Sequence, residues 1–180
     1  MKSLVVTTAR LDLIAATSAS SRADVDDPES FSRVLGISIP VDWPPAEFID
    51  AREIFARSLE RNPTLTGWLH WYWILREDRV LIGSGGFGGT PDQNGKVEIG
   101  FSIVDSYHGK GLATEAVKAL LEWIEDQQGV RRVVAATITT NNASRRVLRK
   151  CGFRLLGPAD DPGTIEYEYL VGTGDRYGTV

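Results

Sequence analysis

The chain has 180 residues, 42% of them hydrophobic and 24% charged, and a net charge of −4. That length suits one domain with a substantial core, and the acidic balance argues against a general affinity for nucleic acid or an anionic membrane. A single cysteine excludes a disulfide framework; with no signal-peptide pattern at Met1 to Thr7 and no apolar run of membrane-spanning length, a soluble, cytoplasmic protein is expected.

Alternation over Leu11, Leu13 and Ala15 marks a first strand after the lead-in Thr8-x-Arg10. Ser18 to Asp27 reads as a helix that Pro28 interrupts, and Phe31, Val34 and Leu35 continue a short helical pattern ended by Gly36. A loop then ends in the stiff Trp43-Pro44-Pro45, whose prolines suit the first turn of a helix carrying Phe48, Arg52, Phe55 and Leu59 on one side. Trp68 to Leu75 and Val80 to Phe87 read as strands joined by a polar turn, and Thr90 to Gly95 turns into a third, Val97 to Val104. Alternation through the first of these puts Trp71 and Trp73 on one face and Trp68, His70 and Tyr72 on the other.

Next comes a helix over 113–128 with apolar residues at 113, 116, 117, 120, 121 and 124, a single face, closed by Gly129. Arg132 to Thr139 is a strand, Asn142 to Cys151 an amphipathic helix, and Phe153 to Leu156 with Ile165 to Leu170 a closing hairpin. Residues 172–180 lack apolar pattern and read as a mobile tail, leaving 1–171 as one domain. The expected fold is α/β: a mixed, mostly antiparallel twisted sheet with helices on both faces. Strands 97–104 and 132–139 lie parallel in it, joined by helix 113–128 as a right-handed crossover.

Two glycine-bearing stretches invite a ligand. Gly83-Ser84-Gly85-Gly86-Phe87-Gly88 matches Gly-x-Gly-x-x-Gly, but a turn and a strand follow it where a dinucleotide site needs a helix. A glycine-rich strand with close backbone approach is the better reading. The second stretch, Tyr107-His108-Gly109-Lys110-Gly111-Leu112-Ala113, has the context the first lacks: strand before it, helix after it. Free backbone N–H groups, unhindered approach and the positive end of the helix dipole suit a phosphate or pyrophosphate. Lys110 adds charge, and Arg145, Arg146, Arg149 and Lys150 form a further basic cluster.

Read with Asn141-x-x-Ser144 and Lys150-Cys151-Gly152-Phe153, that loop makes the chain resemble the GNAT superfamily of acyl-CoA-dependent N-acetyltransferases, and within it the ribosomal-protein alanine acetyltransferase-like subgroup. The family's pyrophosphate loop, Gln/Arg-x-x-Gly-x-Gly/Ala, corresponds to His108-Gly109-Lys110-Gly111-Leu112-Ala113; Glu98-Ile99-Gly100, Thr114-Glu115-Ala116 and the Thr8-x-Arg10-Leu11 start extend the likeness. His108 stands where the family has Gln or Arg, and an imidazole still donates a hydrogen bond. The resemblance implies splayed central strands with the pantetheine arm between them. It implies acetyl-CoA as co-substrate, and backbone amides near Phe101 and Ile103 binding the thioester carbonyl and pantetheine. Asn141 joins the coenzyme-binding residues. It implies an amine-bearing acceptor, a small molecule or a protein N-terminus; the charge and the lack of a spanning run argue against nucleic acid and membrane as partners, and monomer and homodimer are both left open.

Transfer to an amine needs the neutral nitrogen, while a lysine-like amine, of reference pKa about 10.4, is almost wholly protonated at neutrality. Glu98 is the candidate base, on the face of its strand shared with Gly100 and Ser102; the alternative is a solvated or ion-paired strand glutamate. Many relatives protonate the leaving thiolate with a tyrosine four positions beyond Ser144, where this chain has Leu148. Ser144, Asn141 or water would serve, or the thiolate leaves unassisted. Cys151 sits at the apolar end of a helix with no histidine near, which favours buried filler over an acyl-cysteine. Trp43 is the aromatic expected on the acceptor side, and no metal is expected from the histidine and cysteine spacing. The alternative function is a non-catalytic acyl-CoA sensor or partner-binding module on the same fold.

Overall fold

The computed structural model describes residues 3–172, so the expected tail lies outside the described residues except for Gly172. Its strands are β1 Val5–Thr7, β2 Leu11–Ala15, β3 His70–Leu75, β4 Val80–Phe87, β5 Lys96–Ile103, β6 Arg132–Ile138, β7 Arg154–Pro158 and β8 Thr164–Leu170. Its helices are α1 Ser18–Asp26, α2 Pro28–Leu35, α3 Ile49–Arg61, α4 Leu112–Glu125 and α5 Asn142–Lys150. The strands form one sheet ordered β1-β2-β3-β4-β5-β6-β8-β7. Neighbours run antiparallel except β5 and β6, which are parallel and joined by α4. This is the mixed, mostly antiparallel α/β sheet with helices on both faces that the pattern of elements implied.

Period-two alternation sorts the apolar side chains into two cores. Leu11, Leu13, Trp71, Trp73 and Val97 meet the buried stripe of α4, Ala116, Val117, Leu120, Leu121 and Ile124. Tyr72, Ile74 and Leu81 meet Phe31 of α2 and Leu59 of α3 on the other face. Each fully buried Leu or Ile contributes about 1.5–3 kcal/mol relative to exposure. Trp68 departs from the expected alternation because β3 begins only at His70. Its ring lies with Trp71 against Trp123, at centroid distances of 5.6 and 5.1 Å, away from His70 and Tyr72.

The glycine run of β4 is a strand in close contact with its neighbours. A Cβ on Gly83 would stand 2.6 Å from the Ser102 carbonyl oxygen, on Gly85 2.4 Å from the Trp73 ring, and on Gly86 2.0 Å from the Leu69 carbonyl oxygen.

One feature of the sheet positions the site. β5 and β6 pair only over Lys96–Glu98 and Arg132–Val134. Beyond that, β5 follows β4 as far as Ile103 and β6 follows β8 as far as Ile138. The two parallel strands therefore part and leave a fork that opens toward the start of α4.

Candidate active site

The Gly88 N–H donates to the Glu98 carbonyl and the Val104 N–H to the Ile82 carbonyl, both at 2.9 Å. Even-numbered residues of β5 thus turn their backbone groups to β4, and alternation turns the amides of Phe101 and Ile103 into the fork. One group there is engaged: the His108 Nε2–H donates to the Ile103 carbonyl at 2.9 Å.

The fork leads to the glycine loop. Gly109 and Gly111 have φ of 74° and 75°, a left-handed conformation that glycine adopts without steric cost. Gly111 is the N-cap of α4, with no side chain capping it. The first bond closing the helix runs from the Glu115 N–H to the Gly111 carbonyl at 3.1 Å, so the N–H groups of residues 111–114 precede the ladder and are available to a ligand. A Cβ on Gly109 would meet nothing within 4 Å, and one on Gly111 only the Arg10 guanidinium at 3.7 Å. The glycines serve backbone conformation and open approach, not packing.

A cleft of about 760 Å³ runs from this loop along β5, and Gly109, Gly111, Leu112 and Ala113 form part of its wall. Arg146 and Lys150, one turn apart on α5, line it with His108, so its loop end combines side-chain cations with a helix N-terminus. Arg145 turns away, donating to the Tyr167 hydroxyl at 3.3 Å and the Thr139 carbonyl at 3.0 Å. Lys110 folds back, its Nζ donating to the Ser106 carbonyl at 3.2 Å and lying 4.6 Å from the Tyr107 ring centre.

The loop is braced from behind. Glu115, in the first turn of α4, accepts from the Thr8 hydroxyl at 2.6 Å, the Arg10 N–H at 2.8 Å and Arg10 Nε at 2.7 Å, while Arg10 Nη1 donates to the Lys110 carbonyl at 3.0 Å. Partial burial disfavours a charge on Glu115, but these donors outweigh it and hold the carboxyl below its usual range.

A further part of the wall comes from the segment preceding α3. Asp42, Pro44, Pro45, Ala46 and Glu47 line it. Asp42 accepts from the Ser106 N–H at 3.3 Å and hydroxyl at 3.1 Å, and Glu47 accepts from the Ser102 hydroxyl at 3.0 Å. Trp43 does not line the cleft. Its indole N–H donates to Asp24 at 2.9 Å and its ring packs 5.5 Å from Phe48, so it anchors the wall from the core side. Burial raises the Asp24 carboxyl above its usual range, against the opposing bonds from Trp43, Arg52 and Tyr72.

Of the residues singled out in the sequence, the structure brings Phe101, Ile103, His108, Gly109, Gly111, Leu112, Ala113, Asn141 and Ser144 to this one cleft. Glu98 is not among its wall residues. Its side chain is 68% exposed and pairs with Lys96 at 3.4 Å. Cys151 is buried, its thiol directed at the Thr114 carbonyl at 3.6 Å, and burial raises its pKa to about 12. Asp42 and Glu47 carried no sequence signal of their own; the nearest one was the proline-stiffened loop beside them.

The model of the acetyltransferase (GNAT) domain matches residues 10–154. The chain belongs to the GNAT acetyltransferase family. Among its relatives, the uncharacterized N-acetyltransferase YjdG of Bacillus subtilis (strain 168) is 33% identical over 121 residues, 67% of this chain and 72% of the relative. The ribosomal-protein-serine acetyltransferase of Escherichia coli (strain K12) is 29% identical over 119 residues, 65% of each chain. A solved structure of RimL, a ribosomal L7/L12 alpha-N-protein acetyltransferase in complex with coenzyme A, superposes with a TM-score of 0.65 at 20% identity, covering 93% of this chain and 98% of that one. This GNAT N-acetyltransferase therefore shares the fold as well as the sequence signature. Among the described residues no helix is long and apolar enough to cross a membrane.

Proposed function

We propose that residues 1–171 form one acetyltransferase domain that moves the acetyl group of acetyl-CoA to a primary amine by direct attack. The observation that carries this reading is the continuity of two donor sets. The outward amides of Phe101 and Ile103 run along the open edge of β5, and that edge ends at the uncapped N-terminus of α4. An extended pantetheine arm matches the first, and a pyrophosphate matches the second. Arg146 and Lys150 supply charge for the phosphates, His108 lies beside them, and Asn141 opens α5 at the same wall.

The chain's own work is positioning and charge stabilisation. The Phe101 amide, placed on the thioester carbonyl, stabilises the oxygen as it gains charge in the tetrahedral state. The acceptor enters along the wall formed by residues 42–47. The name of the Escherichia coli relative, a ribosomal-protein-serine acetyltransferase, supports a protein as one member of the acceptor class.

Calorimetry with acetyl-CoA, followed by coenzyme A release across a panel of amines and peptides with free N-termini, tests the reading. Binding with amine-dependent release is the expected result. Binding with no release across the panel makes the chain an acyl-CoA sensor, and no binding removes the coenzyme site altogether.

A further inference from the structure

Resting on the acetyl-transfer reading, we propose that Glu47 is the carboxylate that receives the acceptor amine and takes its proton. Glu47 belongs to a short 3-10 turn, Ala46–Phe48, that follows Pro44-Pro45. Its Oε2 accepts from the Ser102 hydroxyl at 3.0 Å, across 55 residues of sequence. Ser102 lies between Phe101 and Ile103, whose amides face the fork, so the carboxylate stands one residue from the amide assigned to the thioester. Adjacent Cα atoms are about 3.8 Å apart. Glu98 is on the same strand face as Ser102 but three residues back from Phe101, about 10 Å at the usual strand rise, and it is paired with Lys96. On proximity, Glu47 wins.

The turn holding Glu47 is fixed from both sides. Phe48, 7% exposed, packs against the rings of Trp43, Phe55 and His70 at 5.5, 6.1 and 5.4 Å. Trp43 is tied to Asp24, and Asp42 to Ser106. Among the described residues Ser102 is the hydrogen-bond partner of Glu47 and occupies one oxygen, which leaves Oε1 for an ammonium. Because Glu47 is exposed, a proton it accepts can pass on to water.

The step balances as follows. One ammonium proton goes to Glu47 and then to solvent. The freed nitrogen lone pair forms the C–N bond, the C–S bond breaks with its electron pair on sulfur, and the second nitrogen proton ends on the sulfur.

The test uses the full chain with acetyl-CoA and two acceptors, a hexapeptide with a free N-terminal serine and cadaverine. Glu47→Gln keeps the size of the side chain and an oxygen for Ser102, so folding should be retained, as an unchanged melting temperature would show. It should lower kcat by about 100-fold or more, leave acetyl-CoA affinity within about twofold, and lose less as pH rises from 7 to 9.5. Glu98→Gln should stay within about threefold of wild type. Ser102→Ala, which releases Glu47 without removing it, should give an intermediate loss. Glu47→Gln with near wild-type turnover, or the large loss appearing in Glu98→Gln instead, overturns the assignment while leaving acetyl transfer standing. A wild-type chain that binds acetyl-CoA and transfers to neither acceptor overturns the transfer reading and this assignment with it.

Discussion

Arg10 donates twice to Glu115, through its backbone N–H to Oε1 at 2.8 Å and through Nε to Oε2 at 2.7 Å. The pair joins the lead-in of β2 to the first turn of α4, more than a hundred residues later, and through Arg10 Nη1 it also holds the Lys110 carbonyl inside the glycine loop. A side chain from the far end of the chain thereby helps hold the loop's shape. Thr8-x-Arg10 and Glu115 were legible in the sequence as parts of a family pattern. Their mutual contact was not.

Glu115→Gln is expected to lower stability by about 1–2 kcal/mol, since charge-assisted hydrogen bonds are lost from a partly buried group, with a fall in Tm of about 2–8 °C for a chain of this size. The pH dependence follows from the depressed carboxyl. Its folded-state pKa lies below the unfolded value of about 4.3, so its contribution is complete above that value and lost as pH falls through the folded one. The stability gap between wild type and Glu115→Gln, measured by denaturant unfolding, should therefore be full at pH 7 and narrow below pH ~4. A constant gap across that range would mean the carboxylate charge contributes nothing.

Gly109→Ala and Gly111→Ala separate conformation from ligand approach. Neither Cβ meets a protein atom closer than 3.7 Å, so the folded-state cost is that of a left-handed alanine, about 1–2 kcal/mol. Coenzyme affinity should fall further than that strain explains, by at least about tenfold, because the new methyl groups stand where the phosphates approach. Calorimetry and thermal melts on the same samples make the comparison. Affinity loss that merely tracks Tm would show that the methyls do not obstruct the ligand.

Cys151 should be silent in the reaction. With its thiol raised to about 12 by burial, almost none is thiolate at neutral pH. Cys151→Ala should keep turnover within about twofold, and a thiol reagent should label the native protein only as it unfolds. Rapid labelling of folded protein, or a lost burst of acyl-enzyme in the variant, would revive a covalent route.

What the sequence disclosed and what it hid divide along chain separation. Helix α4 was legible because Ala116, Val117, Leu120, Leu121 and Ile124 repeat with the helical period, and the glycine loop because its role depends on backbone conformation within a few residues. β1 was missed: Val5–Thr7 is too short for alternation to register, and it exists by pairing with β2, Val5 opposite Ile14 and Thr7 opposite Asp12. Trp43 stands on a stiff loop, which points to the acceptor side, but its indole N–H finds Asp24, 19 residues earlier. Glu47 gave no signal because the contact that matters for it, with Ser102, spans the fold. Local periodicity reports which face is buried. It does not report which distant side chain arrives at a cleft.

Ser144 offers the last test, at the leaving group. The Asn141 side-chain oxygen accepts the Ser144 N–H at 3.0 Å as the N-cap of α5, which leaves its second lone pair and its amide N–H groups for a ligand. Ser144 lines the cleft, and one turn later Leu148 is 1% exposed in the core, so no phenol stands there to protonate the sulfur. A thiol has a reference pKa of about 8.5, so a departing thiolate gains from a proton donor near neutrality and hardly at all in alkali. Ser144→Ala is therefore expected to lower kcat by about 3–10-fold at pH 7, by almost nothing at pH 9, and to leave acetyl-CoA binding unchanged. Asn141→Ala should behave differently: loss of the cap costs about 1 kcal/mol, lowers Tm by about 2–4 °C and weakens coenzyme binding by loosening the cleft wall. Pre-steady-state release of coenzyme A across pH separates the two effects. If Ser144→Ala matches wild type at every pH, the hydroxyl has no part in the step, and water supplies the proton to sulfur.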